Sequence, residues 1–136
     1  MKKPVLIAVA VVVVVVVAGW IAANPVRRFG LSTQALTTYD RVPFPYVDLQ
    51  VRSDGESRTV RKLHRIQTEQ LMWLTTPEPE VLIIAGGWQG DARAIEPVGP
   101  LPRTKVLTLP TGKALELFNS LREQGVRVAI HVHSSC

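Results

Sequence analysis

The stretch TGKALELFNSLREQGVRVAIHVHSSC, residues 111–136, predicts a helix followed by a strand and decides the fold class of the chain. Apolar residues in its first half recur at intervals of three and four, as one buried face of a helix requires. These residues are Ala114, Leu117, Phe118 and Leu121. Thr111 is expected to cap the start of the helix, and Gly125 is expected to end it in the left-handed conformation.

From Val126 onward the residues alternate between two sets, which is the period of a strand. Val128, Ile130 and Val132 are predicted to face the core. His131 and His133 fall on the opposite face, where we expect them to be half-exposed.

Further elements are predicted upstream of this stretch. They are strands at 46–52, 57–66, 81–85 and 105–109 and a short helix that starts at Thr68. The run 81–85 is apolar throughout, which is typical of a strand covered on both faces, so it is the expected centre of the sheet. Together these elements predict an α/β fold, with a small mixed-sheet domain at residues 44–136.

The segment PVLIAVAVVVVVVVAGWIAA, residues 4–23, predicts a single transmembrane helix. About 20 apolar residues are needed to cross the hydrocarbon core of a bilayer. A cleaved secretory signal is the alternative, since Lys2 and Lys3 form a basic start and Ala22-Ala23 could precede a cleavage site. Basic residues on both sides leave the membrane side of the domain undetermined. We predict an anchor at 1–28 and a linker at 29–43 that spaces the domain from the membrane.

The net charge of +5 does not indicate nucleic-acid binding. Lys2, Lys3, Arg27 and Arg28 flank the apolar segment, and the remaining chain has 12 basic and 11 acidic residues. The domain therefore lacks the excess positive charge that phosphate-backbone binding requires. A basic cluster at 58–65 is interpreted either as a contact with anionic lipid headgroups or as an ordinary solvated strand face.

Two groups of residues carry candidate chemistry. Gly86, Gly87 and Trp88 follow the predicted central strand, and glycine turns at the carboxyl ends of strands often hold ligands in α/β sheets. His131, His133 and Cys136 are metal-capable, but a closed zinc site normally has four protein ligands, so neither a metal nor another cofactor is predicted. The sequence has no nucleophile elbow and no HExxH motif.

The last 26 residues resemble the Mth-like domain family. The resemblance is carried by Thr111, Ala114, Phe118, Asn119, Leu121, Gly125, Arg127, Val128, His133, Ser134, Ser135 and Cys136, and upstream by VLIIAGG at 81–87. This family includes an adipogenesis-associated Mth-domain protein and an assembly factor of mitochondrial respiratory complex I. The resemblance implies a small three-layer α/β domain without a defined molecular activity. The chain departs from the family in two places. Residues 96–103 are proline-rich where the family usually has a helix, and residues 4–23 are the predicted membrane segment.

The leading functional hypothesis is a single-pass, membrane-anchored module for protein binding or assembly. Its protein partner would meet a sheet edge or the groove near Gly86 and Trp88, with Thr111 and Asn119 as further candidate binding residues. One alternative is a small-molecule or redox enzyme that uses His131, His133 and Cys136 beside the glycine-rich turn at Gly86, Gly87 and Trp88. The other is a domain secreted after signal cleavage.

Overall fold

The computed structural model describes residues 2–62, 65–89, 93–94, 101 and 103–134. In this part of the chain an apolar helix precedes a small mixed α/β domain, which confirms the predicted fold class. The helices are α1 (Lys2–Ala23), α2 (Thr68–Leu71) and α3 (Thr111–Glu123), and a 3-10 turn follows α2 at Met72–Thr75. The strands are β1 (Phe29–Thr33), β2 (Leu36–Tyr39), β3 (Val42–Pro45), β4 (Asp48–Val51), β5 (Ser57–Val60), β6 (Arg65–Ile66), β7 (Val81–Gly86), β8 (Arg93–Ala94), β9 (Lys105–Leu109) and β10 (Val128–His133).

The main sheet has the strand order β5-β4-β10-β7-β9 among the described residues. β10 runs parallel to β7 and antiparallel to β4, and β9 is parallel to β7 at one edge. The prediction that 81–85 forms the centre of the sheet is therefore wrong by one position, because β10 lies there. Both strands are covered on both faces, so an apolar run does not distinguish the central strand from its neighbour.

Each face of the main sheet has its own core. On one face Ile130 and Val132 pack with Phe118 and other residues of α3. On the other face Ala129 packs with Leu71 and Leu74 of α2 and the 3-10 turn. Because side chains alternate along a strand, β10 supplies both cores at once. This arrangement places α3 and the α2 region in separate layers.

The predicted linker at 29–43 is wrong, because this segment folds into a three-stranded antiparallel sheet of β1, β2 and β3. Phe29 and Tyr39 are buried in the core, where the Phe29 ring lies 5.1 Å from that of Tyr39 and 5.0 Å from that of Phe118. The segment mixes glycine, serine, threonine and proline with few apolar residues, so no strand pattern stands out in it. Asp40 and Arg41 both adopt positive φ in the β2–β3 turn, which breaks the pattern further.

Helix α1 is long and apolar enough to span a membrane, with 22 residues and none of them buried in the protein. Its last turn is joined to the small sheet by Asn24, whose side chain is fully buried. The Asn24 side chain accepts a hydrogen bond from the Leu31 amide (2.9 Å), and its carbonyl accepts one from Arg41 Nε (3.1 Å). Trp20 Nε1 donates to the Arg41 carbonyl at 3.3 Å. We call Trp20, Asn24, Gly30, Leu31 and Arg41 the joint.

Several boundaries differ from the predictions. The predicted strand 46–52 is reduced to β4, whose four residues are all buried rather than alternately exposed. The predicted strand 57–66 is divided into β5 and β6, and β6 pairs with β8 instead of continuing the hairpin. The short helix begins after Gln67, which forms a capping box with Gln70. Near the 3-10 turn, Leu74 is buried, whereas Met72 is 65% exposed.

The boundaries of α3 show one confirmed and one wrong prediction. Gly125 has a φ of 76° and ends the helix in the left-handed conformation, as expected. Thr111 is not the cap, because Pro110 occupies that position and Thr111 is the first helical residue. The Thr111 hydroxyl instead donates to the His133 carbonyl at 2.9 Å. It therefore ties the start of α3 to the end of β10.

Candidate functional site

A surface pocket lies where β1, α3 and the turn after β7 meet. Its volume is about 220 Å³. Apolar surface comes from Phe29, Trp88 and Leu115, and the exposed Glu116 contributes a carboxylate. The remaining lining residues are Gly30, Ser32, Gly112 and Asn119. Two of the predicted binding residues, Trp88 and Asn119, are therefore brought together here.

The glycine turn after β7 positions Trp88 against the start of α3. Gly87 has a φ of 93°, a conformation that favours glycine, and its carbonyl accepts a hydrogen bond from the Thr111 amide at 2.9 Å. A Cβ added at Gly112 would lie 3.2 Å from Trp88 Cζ3, so the indole ring packs directly on the helix backbone. The buried Trp88 Nε1 has no hydrogen-bond partner among the described residues.

Asn119 forms the floor of the pocket by binding the backbone of β1. Its Oδ1 accepts from the Phe29 amide at 2.8 Å, and its Nδ2 donates to the Phe29 carbonyl at 2.7 Å. Both polar ends of the amide are thus used in holding the small sheet to α3. Asn119 therefore shapes the pocket by fixing β1 against α3.

Asn119→Ala is expected to lower the free energy of unfolding by about 2 kcal/mol, because it leaves both polar groups of Phe29 unpaired in a largely buried position. Urea unfolding followed by circular dichroism in detergent micelles measures the change. Ser120→Ala is the matched control, since Ser120 is exposed on the same helix. Equal unfolding midpoints for the two variants would contradict this role of Asn119.

A second candidate site is a buried polar cluster on the opposite face of the main sheet. His133 Nδ1 lies 2.8 Å from Asp48 Oδ2, and the Ser134 amide donates to Asp48 Oδ1 at 3.0 Å. The Ser134 hydroxyl donates to the same oxygen at 3.3 Å. Asp48, His131 and His133 are each at most 1% exposed. The expectation that the two histidines are half-exposed is therefore wrong, because α2 and its 3-10 turn cover this face of β10.

The protonation state of His131 follows from the amide of Gln50. Arg58 Nε donates to Gln50 Oε1 at 2.9 Å, and Gln50 Nε2 donates to the Gln70 carbonyl at 2.6 Å. The second hydrogen of Nε2 then points to His131 Nδ1, 3.0 Å away, which must accept. His131 therefore carries its proton on Nε2, which lies 4.0 Å from Asp48 Oδ2, beyond hydrogen-bond distance.

Burial lowers the pKa of His131 to about 4. The Asp48 carboxylate opposes this effect, whereas His133 and Arg58 add to it. His131 Nε2 has no hydrogen-bond partner within the part of the chain that the structure describes. The imidazole is consequently neutral at physiological pH.

The predicted residues thus divide between two places that the main sheet separates. Trp88 and Asn119 line the pocket, with Gly87 and Thr111 holding its wall, whereas His131 and His133 lie on the other face. Gly86 is buried within β7 beside His133, and Cys136 lies outside the described residues. No group of three or more metal-capable side chains occurs in the described ranges.

Sequence reasoning missed several residues of both sites. Asp48 and Gln50 alternate along β4 as the histidines do along β10, and the two strands pair antiparallel. Matching polar alternation in both segments was the available signal, but it required knowing that they are neighbours. Phe29, Ser32 and Glu116 had no such signal, because the pocket depends on how β1 packs against α3.

Comparison with known proteins supports the fold. No protein-family model and no curated protein matches the chain. Among solved structures, MT938 is 26% identical with a TM-score of 0.70, over 80% of this chain and 98% of that chain. The conserved hypothetical protein PH1505 from Pyrococcus horikoshii OT3 is 21% identical, with a TM-score of 0.65 over 80% of this chain and 99% of that one. A Bordetella parapertussis protein is similar at 17% identity and a TM-score of 0.60, over 79% and 95% of the two chains.

Proposed function

We propose that this chain is a single-pass membrane protein whose Mth-like α/β domain acts as a protein-binding or assembly module. The partner binds at the pocket between β1, α3 and Trp88. Helix α1 is retained as the anchor, so binding takes place at the membrane surface.

The pocket is the observation that carries this proposal. Pockets for drug-sized ligands have volumes of about 300–1,000 Å³, and a pocket of about 220 Å³ is smaller than this range. It suits a single anchoring side chain from a larger partner, because interface hot spots are side chains inserted into small, well-packed pockets. The aromatic walls favour an apolar anchor. The exposed Glu116 favours a lysine or arginine beside it in the partner.

Glu116→Arg is expected to weaken capture of the partner about tenfold or more, because the change reverses the charge at the pocket rim. Full-length protein is recovered from its native membrane in mild detergent after crosslinking, and the captured proteins are quantified. Ser120→Arg is the control, since it adds a positive charge at an exposed position of α3 outside the pocket. The proposal fails if no protein is captured reproducibly, or if Glu116→Arg captures the same proteins in the same amounts.

Retention of α1 is supported by the contacts of its last turn. Trp20 binds the Arg41 carbonyl, and the Trp20 carbonyl accepts hydrogen bonds from the amide and the side chain of Asn24, each at 3.0 Å. Cleavage after Ala23 would remove all three. The mass of the mature protein distinguishes the two outcomes, because a secreted domain would lack α1.

A redox or small-molecule enzyme is a second candidate, favoured by the close His133–Asp48 pair. A carboxylate that orients an imidazole is a common arrangement for proton transfer. Such an enzyme would use His131, His133 and Cys136, and a substrate would have to reach side chains that are at most 1% exposed in the case of the two histidines. Metal analysis with thiol titration tests it. Absence of stoichiometric metal together with an ordinary thiol pKa would exclude it.

A further inference from the structure

We infer that the three-stranded sheet is seated in the interfacial layer of the bilayer that α1 crosses. This inference rests on the proposed retention of α1 as a membrane anchor. The end of the sheet next to α1 contacts the lipid headgroups. Exposed Leu31 and Val42 lie on its two faces, and exposed Val26 lies in the segment that precedes it. The domain is thus held in one orientation on the membrane instead of moving on a flexible linker.

The length of α1 determines the depth of the joint. The apolar residues 4–23 rise about 30 Å at 1.5 Å per residue, which equals the thickness of a typical hydrocarbon core. Asn24 follows immediately, so it lies at the hydrocarbon boundary. Trp20, in the last turn, is at the level where tryptophans are enriched in membrane proteins.

The joint then carries the small sheet to the same depth. The Leu31 amide is 2.9 Å from Asn24 Oδ1, and Arg41 Nε is 3.1 Å from the Asn24 carbonyl. Headgroup layers are roughly 5–7 Å thick on each side of the core. With α1 close to the membrane normal, residues in direct contact with Asn24 therefore lie within this layer.

Three exposed apolar side chains lie near the joint, with Leu31 and Val42 on opposite faces of the small sheet. Val26 is 53% exposed, Leu31 54% and Val42 49%. Each is next to a joint residue or within two positions of one. Exposed Arg27 and Arg41 are the sequence neighbours of Val26 and Val42, and basic residues near a membrane surface interact favourably with anionic headgroups. Apolar side chains with neighbouring arginines are typical of interfacial membrane contacts.

A fluorescent probe measures the depth of this surface directly. An environment-sensitive dye is attached to Leu31→Cys in a Cys136→Ser background, and the full chain is reconstituted into vesicles of phosphatidylcholine and phosphatidylglycerol. Spin-labelled lipid with its label near the headgroup is expected to quench most of the fluorescence. Val42→Cys is the second labelling site in case Leu31→Cys does not fold. Met72→Cys is the control, because Met72 is exposed beside the other face of the main sheet.

Aqueous iodide and alkaline extraction separate the other outcomes. Quenching of the Leu31 and Val42 probes by iodide but not by lipid would overturn the inference, since the sheet would then face water. Protection from both quenchers would also overturn it, because a protein would cover the surface. Release of the protein from the vesicles by alkali would refute the anchor itself. If the protein stays in the vesicles but lipid does not quench the probes, only the position of the sheet in the headgroup layer is refuted.

Discussion

Gly30→Ala is expected to lower the free energy of unfolding of the domain by about 3 kcal/mol, through overpacking of the joint. A Cβ at Gly30 would overlap the Asn24 side chain, approaching Asn24 Cγ to 2.7 Å and Asn24 Cα to 2.8 Å. Asn24 is fully buried, so its amide cannot move into solvent. Relief of the overlap must displace the side chain that binds the Leu31 amide and the Trp20 carbonyl.

Thermal unfolding in detergent micelles, followed by near-ultraviolet circular dichroism, measures the loss. Gly19→Ala is the matched control, because nothing lies within 4 Å of a Cβ added at Gly19. In α1 this substitution should leave the midpoint unchanged or slightly higher. Equal midpoints for the two variants would show that the small sheet moves independently of Asn24.

The joint also shows what the sequence could not predict. Asn24-Pro25 ends an apolar run, and proline is expected soon after the last residue of a helix. Nothing local to Asn24 indicates that its side chain binds residue 31 and its carbonyl residue 41. Those contacts exist only after β1 and β2 have folded, and the polar, glycine-containing segment that forms these strands has no clear strand pattern.

The helix–strand unit at 111–133 was predictable because its local signals agree with its tertiary environment. The apolar stripe of α3 meets the sheet, and Gly125 has the positive φ that its position requires. The same signals gave the wrong exposure for His131 and His133, because alternation identifies the two faces of a strand but not what covers the second. α2 covers that face, and its four residues gave only a weak sequence signal.

The two candidate sites are separate because strand alternation alone does not show which elements cover each face of the sheet. His131, His133 and Trp88 are all near the carboxyl ends of neighbouring strands, which suggested one site. The side chains point to opposite faces of the main sheet, so they do not form one site. Trp88 packs on Gly112 of α3, whereas Gln50 links His131 to the carbonyl of Gln70 in α2.

The stability of the domain is expected to fall by about 3 kcal/mol between pH 6.5 and pH 4 because of His131 alone. Its pKa is lowered from 6.5 to about 4 in the folded protein, chiefly by burial. Between these values the unfolded chain binds a proton at this residue and the folded chain does not. Stability therefore rises with pH across this window, and it is lost as the pH falls.

His131→Asn isolates this contribution. The asparagine Oδ1 can accept the hydrogen bond that Gln50 Nε2 donates to His131 Nδ1, so the cluster keeps its connection while losing its titrating group. Urea unfolding of both proteins is measured from pH 7 to about pH 4. We expect the free energy of unfolding of the native protein to fall more steeply than that of His131→Asn. Parallel pH profiles would mean that the folded protein protonates His131 as readily as the unfolded chain does, which would contradict the lowered pKa.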